Sequence, residues 1–260
     1  VHANESIIVR DASSKEIIAV VLWNFCGDPD VLAWVNTVIS RAIEMKRNKE
    51  DTGSLVLAGY SAGARSKPIF DWACNLKSTK GDKRHVLAHE KDVLSVFALF
   101  YNLLCSRLLE ALFDDLTVFL KKHGLCCMDG KGTMAGVDGK GEYYVWKGEE
   151  TIVFTNEELA PLGGVMGANY ARPIHSEHHP HTYGYSWTTL RQTSGGGSFY
   201  AASHGIKIEQ GPDTLIVWQP RRAHGTSLLK YNPDGINPPV VQQGVSIVSS
   251  MRLGSTWEKY

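Results

Sequence analysis

The sequence predicts an α+β fold, with helices concentrated in the first half and a β-rich second half closing into a barrel or jelly roll. Three observations carry that expectation. Apolar residues at 93, 96, 97, 100, 103, 104, 108, 109, 112, 113 and 116 follow helical i, i+3, i+4, i+7 spacing. Composition then changes after Leu125: Met128 to Glu142 holds five glycines, and almost everything beyond reads as short strands and turns. No internal repeat interrupts the 260 residues, so the expectation is a single domain over 1–260, with 1–127 mainly helical support and 128–260 the β-rich core.

Element by element, Ser6 to Arg10, a polar turn at Asp11 to Lys15, and Glu16 to Phe25 read as a hairpin. Asp28-Pro29-Asp30 opens a helix that runs through Leu32, Val35, Val38, Ile39 and Ile43, because proline is tolerated in the first turn. Lys46 to Gly53 is a charged loop. Ser54 to Arg84 reads as irregular, with a short strand at Leu55-Val56-Leu57 and a short helix at Pro68 to Asn75. Helical periodicity then dominates from Glu90 to His123. The apolar stretch Val93 to Leu116 is interrupted by Arg107, Glu110, Asp114 and Asp115, so it is a core helix and not a bilayer span, which needs about 20 uncharged residues. Past the glycine-rich loop, Tyr143 to Trp146 and Thr151 to Phe154 form a hairpin about Lys147-Gly148. Strands follow at Tyr183 to Leu190, Ser198 to Glu209, Asp213 to Trp218 and Val245 to Ser250. Ser194 to Gly197 and Gln210 to Asp213 are the turns.

Charge narrows the function. Lys and Arg number 27 and Asp and Glu 27, which removes a broadly basic nucleic-acid clamp or a polybasic membrane anchor as the default. Lys77, Lys80, Lys83 and Arg84 make a modest local basic loop. The five cysteines are odd in number, two of them adjacent (Cys126 and Cys127), and none forms a Cys-x-x-Cys pair. Reduced thiols in an intracellular protein, nuclear or cytoplasmic, are the expectation. The start Val1-His2-Ala3 carries no signal-peptide pattern. No membrane association is expected, and a monomer is.

The chemistry is sought where histidines gather. Six of the ten lie between His175 and His224, four of them within His175 to His181. In His175-Ser176-Glu177, an extended backbone points residues i and i+2 to one face, so both side chains can reach one metal ion. A third ligand must come from a distant strand, and His224, just after the apolar strand Thr214 to Trp218, is placed to supply it. Two imidazoles and a carboxylate on one face of a metal leave positions open, an arrangement suited to non-haem Fe(II) and oxygen chemistry. Other readings stand beside it. The histidines are solvated loop residues; or His179-Pro180-His181 is a metal-binding pair of cupin type, which lacks the nearby glutamate such a site wants; or His175, His178, His179 and His181 form a zinc site.

The order of the signals carries a resemblance. After His175-Ser176-Glu177, and eighteen residues later, comes Gly196-Gly197-Ser198-Phe199-Tyr200, then Gly205-Ile206-Lys207-Ile208. The turn Gly211-Pro212-Asp213-Thr214 leads an apolar strand, and Arg222-Ala223-His224-Gly225-Thr226 closes the set. Over residues 165 to 253 this resembles the Fe(II)/2-oxoglutarate-dependent dioxygenase superfamily, most closely the TET/JBP-like branch with its many fungal members. The resemblance implies a double-stranded β-helix (jelly roll) in the C-terminal half supported by the N-terminal helices. It further implies Fe(II) on His175, Glu177 and His224, with 2-oxoglutarate as cosubstrate. Most of that branch has Asp where Glu177 stands, though other dioxygenases use His-x-Glu. The branch also places an Arg at the start of the strand after the distal His, where this chain reads Gln242-Gln243-Gly244. Arg252, at the far end of that strand, is the expected carboxylate partner. Ser176, Tyr183, Thr226 and Ser246 are candidates for fixing the imidazole tautomers.

The implied reaction is hydroxylation of a C–H bond, with DNA or a methylated nucleobase such as 5-methylcytosine as the implied partner. An extruded base needs aromatic stacking, for which Tyr183, Tyr185, Trp187 and Tyr200 are candidates beside a role in the β core. Arg221-Arg222 could face a phosphate. Oxygenation of a small molecule or a protein side chain, and a non-catalytic β-barrel binding module, are the alternatives.

Overall fold

A computed structural model describes residues 1–46, 53–73, 83–134, 136, 140–193, 195–230 and 239–259. The first hairpin forms as the sequence predicts, β1 (Ile7–Arg10) pairing antiparallel with β2 (Ile17–Trp23). Helix α1 (Pro29–Glu44) follows, and the Asp28 carboxylate accepts from the Asp30 and Val31 amides, 3.0 and 3.2 Å away, satisfying two of its orphan donors.

The next segment differs from its expectation. Residues 54–72 are two long strands, β3 (Ser54–Ala64) and β4 (Lys67–Trp72), and strand occupies most of the stretch expected to be helical from Pro68. The rest of that expected helix, with Cys74, Lys77 and Lys80, lies outside the described residues, as does most of the charged loop after Lys46. Gly, Ser and Ala give β3 little strand propensity of its own; it is settled by pairing with a neighbour.

The single helical stretch expected from Glu90 to His123 is divided. Helix α2 (Lys83–Arg107) ends before an extended Leu109, a 3-10 turn spans Glu110–Leu112, and α3 (Asp114–His123) restarts. Asp114 and Asp115 in its first turn and Lys121, Lys122 and His123 in its last complement the helix dipole, and Gly124 closes it in the left-handed conformation.

Strands β5 (Lys140–Lys147) and β6 (Glu150–Glu158) form a separate hairpin, longer than the one predicted. The remaining strands are β7 (Gly163–Ala168), β8 (Arg172–His175), β9 (Gly184–Arg191), β10 (Phe199–Ala201), β11 (Ile206–Ile208), β12 (Thr214–Trp218), β13 (His224–Thr226) and β14 (Gln242–Ile247), and the short helix α4 (Arg252–Trp257) follows them. The long strand expected over 198–209 is therefore two short ones about a 3-10 turn, and helix α4 begins two residues after the expected last strand.

Two antiparallel sheets result, ordered β1-β2-β12-β9-β14-β7-β3-β4 and β11-β10-β13-β8. The N-terminal part is thus more than helical support: it adds two strands to each edge of the large sheet. Alternation on the large sheet sends Tyr185, Trp187, Leu215, Val217, Val245 and Ile247 into one core with α1 and α2. Ile216 and Trp218 face the other way and pack with Phe199, Ala201 and Ile208 of the small sheet. Between the sheets lies a cavity of about 260 Å³. Gly164 lets α2 come close: a Cβ there would lie 2.4 Å from the Phe97 ring. No described helix is long and apolar enough to cross a membrane, and the four described cysteines are free.

One buried carboxylate joins three parts of this frame. Asp213 Oδ1 accepts from the Cys26 amide (2.8 Å) and the Trp187 indole N–H (2.9 Å), and Oδ2 accepts from the Gly27 amide at 2.8 Å. The turn before α1, the centre of β9 and the start of β12 are thereby held together. Asp213→Ala strands three donors in a water-poor site and should cost about 3–5 kcal/mol in urea unfolding; a loss below about 1 kcal/mol would contradict this role.

Candidate metal centre

The small sheet builds the site. Strands β8 and β13 run antiparallel with His175 directly opposite His224, so their side chains project to the same face. The two rings lie 4.4 Å apart, centroid to centroid. Glu177, two residues beyond His175, brings Oε1 to 3.4 Å from His175 Nε2. His175, Glu177 and His224 each offer one donor atom such that all lie within 4.8 Å of one another, and among the described residues no other group does so. These are the three residues that the spacing of the sequence brought forward.

Backbone carbonyls fix both imidazole tautomers. His175 Nδ1 donates to the Pro173 carbonyl and His224 Nδ1 to the Arg222 carbonyl, each at 2.8 Å. A carbonyl oxygen only accepts, so Nδ1 carries the proton and a neutral ring keeps its lone pair on Nε2. In both cases the carbonyl is two residues upstream. Two of the four side chains expected to do this work bond elsewhere: Tyr183 donates from its hydroxyl to the Ile17 carbonyl, and Ser246 to the Ser186 hydroxyl. His224 is buried, stacked near Phe199 and Trp218, and that desolvation pulls its pKa down and favours the neutral ring.

Glu177 is held ionised. His179 Nε2 donates to its Oε2 at 3.3 Å, and the neighbouring Arg172 guanidinium adds its charge; together they outweigh desolvation and hold the carboxyl down at about 2. A solvated loop position was one reading of His179; it is instead buried and supports the carboxylate. A histidine two residues after the glutamate was the signal available for it. His181 is also buried and donates from Nδ1 to the Tyr183 carbonyl at 2.6 Å, which leaves the pair outside any three-ligand cluster.

Other expected site residues lie elsewhere. The Arg252 guanidinium donates to the Ala62, Gly63 and Ala64 carbonyls of β3, at 2.9, 3.1 and 3.1 Å, and does not line the cavity. Tyr183, Tyr185 and Trp187 are buried against the helices, with Tyr185 donating to the Leu112 carbonyl at 2.6 Å, and Tyr200 also does not line the cavity. The aromatic rings that do face it are Phe199, Trp218 and Tyr170. Arg221 is exposed and reaches the His179 carbonyl at 3.4 Å, while exposed Arg222 donates to the Gln219 side chain. From the basic loop, Lys77 and Lys80 lie outside the described residues.

No protein-family model matches the chain, and no curated protein sequence does. Solved structures do resemble it. NgTET1 in complex with 5mC DNA superposes with a TM-score of 0.55 at 11% identity, over 98% of this chain and 79% of that one. The viral collagen prolyl hydroxylase vCPH from Paramecium Bursaria Chlorella virus-1, in its 2OG complex, aligns at 9% identity over 88% and 96% of the two chains, with a TM-score of 0.33. IDO from Bacillus thuringiensis aligns at 11% identity over 90% and 93%, with a TM-score of 0.40. The resemblance that the motif order carried is thus matched by a likeness of fold to NgTET1.

The ring geometry has a direct spectroscopic consequence. Nitrogen-15 NMR of the metal-free protein should find His175 and His224 in the Nδ1–H tautomer, with His224 titrating below the usual value of about 6.5. An Nε2–H tautomer on either ring would contradict the arrangement.

Proposed function

We propose that the protein is an Fe(II)/2-oxoglutarate-dependent oxygenase built on a double-stranded β-helix in one domain, with His175, Glu177 and His224 as its iron ligands. The strand path supports the fold reading. From β7 onward the chain alternates between the sheets, β7, β9, β12 and β14 in the large one and β8, β10, β11 and β13 in the small one, which is the winding of a jelly roll.

The observation that carries the function is the pair of Nδ1-protonated imidazoles that converge with an ionised carboxylate beside the cavity between the sheets. The donor set fits a divalent first-row metal: two neutral nitrogens and one carboxylate on one side, the pattern that leaves positions for other ligands. Bound there, iron with 2-oxoglutarate would supply the oxidising chemistry that side chains lack.

The chain's own residues do the rest. Pro173 and Arg222 carbonyls orient the rings, and His179 and Arg172 hold the carboxylate ready. Phe199, Trp218 and Ile216 give the cavity an apolar wall beside the donors, which limits the water that can gather on that side.

A methylated base in nucleic acid, 5-methylcytosine-like, is the substrate class we favour, supported by the fold likeness to NgTET1, a protein captured with 5mC DNA. Against a nucleic-acid substrate stand the zero net charge and the presence of a single Lys or Arg, Arg172, among the described cavity-lining residues. These features favour the second reading, oxygenation of a small molecule or a protein side chain.

Succinate release from 2-oxoglutarate, measured with and without Fe(II) and with methylated or unmethylated oligonucleotides, tests both levels. The wild type should release succinate only with Fe(II), faster when the true substrate is present. Glu177→Ala and His224→Ala should each lose more than the ~10–100-fold that removal of an outer-shell partner costs. Iron binding without succinate formation would make the protein a binding module, and Fe(II)-dependent succinate from both variants would remove the proposed ligands.

A further inference from the structure

We infer that Gln242, on the cavity wall, and Arg191 behind it form the seat for the distal carboxylate of a 2-oxo acid. The inference rests on the oxygenase proposal and adds the residues that choose the cosubstrate.

Strand β14 turns alternate residues toward the cavity. Ser246, Gly244 and Gln242 belong to the row that lines the cavity; Gln243 also borders it, but its side-chain amide donates to Ser40 of α1 at 2.7 Å. Gly244 presents no side chain at all, so the first long polar group on this row is Gln242. Opposite it in register on β9 stands Arg191. The Arg191 Nη1 donates to Gln242 Oε1, and Nη2 donates to the Gly196 carbonyl at 2.5 Å.

Chemistry then fixes the amide. A guanidinium has donors only, so the oxygen of the Gln242 amide must face Arg191 and its NH2 must turn the other way. That Nε2 donates to no described residue, while Gln242 lines the cavity. Arg191 itself pairs with no carboxylate among the described residues. The cavity wall at Gln242 therefore offers uncommitted amide hydrogens, with a half-buried cation behind them that pairs with no described carboxylate. A carboxylate is the complementary group.

The neighbouring backbone is shaped to this pair. Gly197, at φ +60°, lies over it so closely that a Cβ would sit 2.6 Å from both Arg191 Nη1 and Gln242 Oε1. Gln210 braces that turn, donating from Nε2 to the Gly197 carbonyl at 2.9 Å and accepting from Thr188 Oγ1 at 2.5 Å. A cavity lined by both the metal-binding donors and Gln242, with Arg191 behind it, fits a short chain with a chelating 2-oxo acid head and an anionic tail. In this arrangement Gln242 touches the ligand, and Arg191 is a positioning residue that orients the amide and supplies charge.

The test is an anaerobic titration of the Fe(II)-loaded protein with 2-oxoglutarate and with 2-oxovalerate, which has the same carbon chain but a methyl in place of the distal carboxylate. Binding is read from absorption of the iron–oxo acid chelate. The wild type should prefer 2-oxoglutarate by about 10- to 100-fold, the worth of a hydrogen bond to a charged group. Gln242→Glu keeps an acceptor for Arg191 but sets an anion where the amide hydrogens were. It should erase the preference and leave 2-oxovalerate binding as it was, which also shows that the variant is folded. Arg252→Ala should retain the preference. If Gln242→Glu still prefers 2-oxoglutarate, or Arg252→Ala loses the preference, the seat is wrong while the oxygenase reading stands. If the Fe(II)-loaded wild type binds neither acid, the oxygenase reading falls and the seat with it.

Discussion

Both faces of the large sheet are covered, and that constraint governs the rest of the molecule. Along β9 and β14, residues that turn toward the helices must be large and apolar, as Tyr185, Trp187, Val245 and Ile247 are. Their immediate neighbours must tolerate a polar cavity, as Ser186, Thr188, Gly244 and Ser246 do. A slip of one residue would exchange the two sets, setting hydroxyls against α1 and indole rings into the cavity. Asp213 reinforces the register, because its carboxylate takes the Trp187 N–H only when β9 and β12 are correctly aligned. The small sheet works under the same rule, and its register sets His175 against His224.

From that alignment the electrostatics of the site follow. The two upstream carbonyls use backbone groups already placed by β8 and β13, so ring orientation requires no additional side chain. Glu177 lies just past the strand and is steered by side chains instead, His179 on one oxygen and Arg172 on the other. Gln242 repeats this logic: Arg191 does not line the cavity, and its influence passes through the amide of Gln242. Charge is thus kept close to the cavity while hydroxyls, amides and apolar side chains form most of its surface.

How much of this was legible in the sequence depends on how local each signal is. The first hairpin, α1 and the three converging residues were legible, because a two-residue period, an Asp-Pro opening and a His-x-Glu spacing are local patterns. The short strand at Leu55–Leu57 was legible, but the rest of β3 and all of β7 were obscured because Gly, Ser and Ala carry little propensity, and the two pair with each other across more than 90 residues of chain. The break between α2 and α3 was marked by Asp114-Asp115 and Gly124, a start and a stop that the continuous apolar spacing concealed. Arg252 was chosen by its place after the last strand, but α4 begins there and turns it to the β3 carbonyls. Arg191 carried no local mark; only the pairing of β9 with β14 brings it beside Gln242.

The central claim is that His175, Glu177 and His224 hold one metal ion through two Nε2 atoms and a carboxylate. Anomalous diffraction from crystals grown anaerobically with Mn(II), an oxygen-stable stand-in for Fe(II), tests it most directly. The account predicts one strong peak bonded to His175 Nε2, His224 Nε2 and a Glu177 oxygen, with the Nδ1 contacts to the Pro173 and Arg222 carbonyls unchanged. A peak centred on His179 or His181, or none between the three residues at saturating metal, would contradict it.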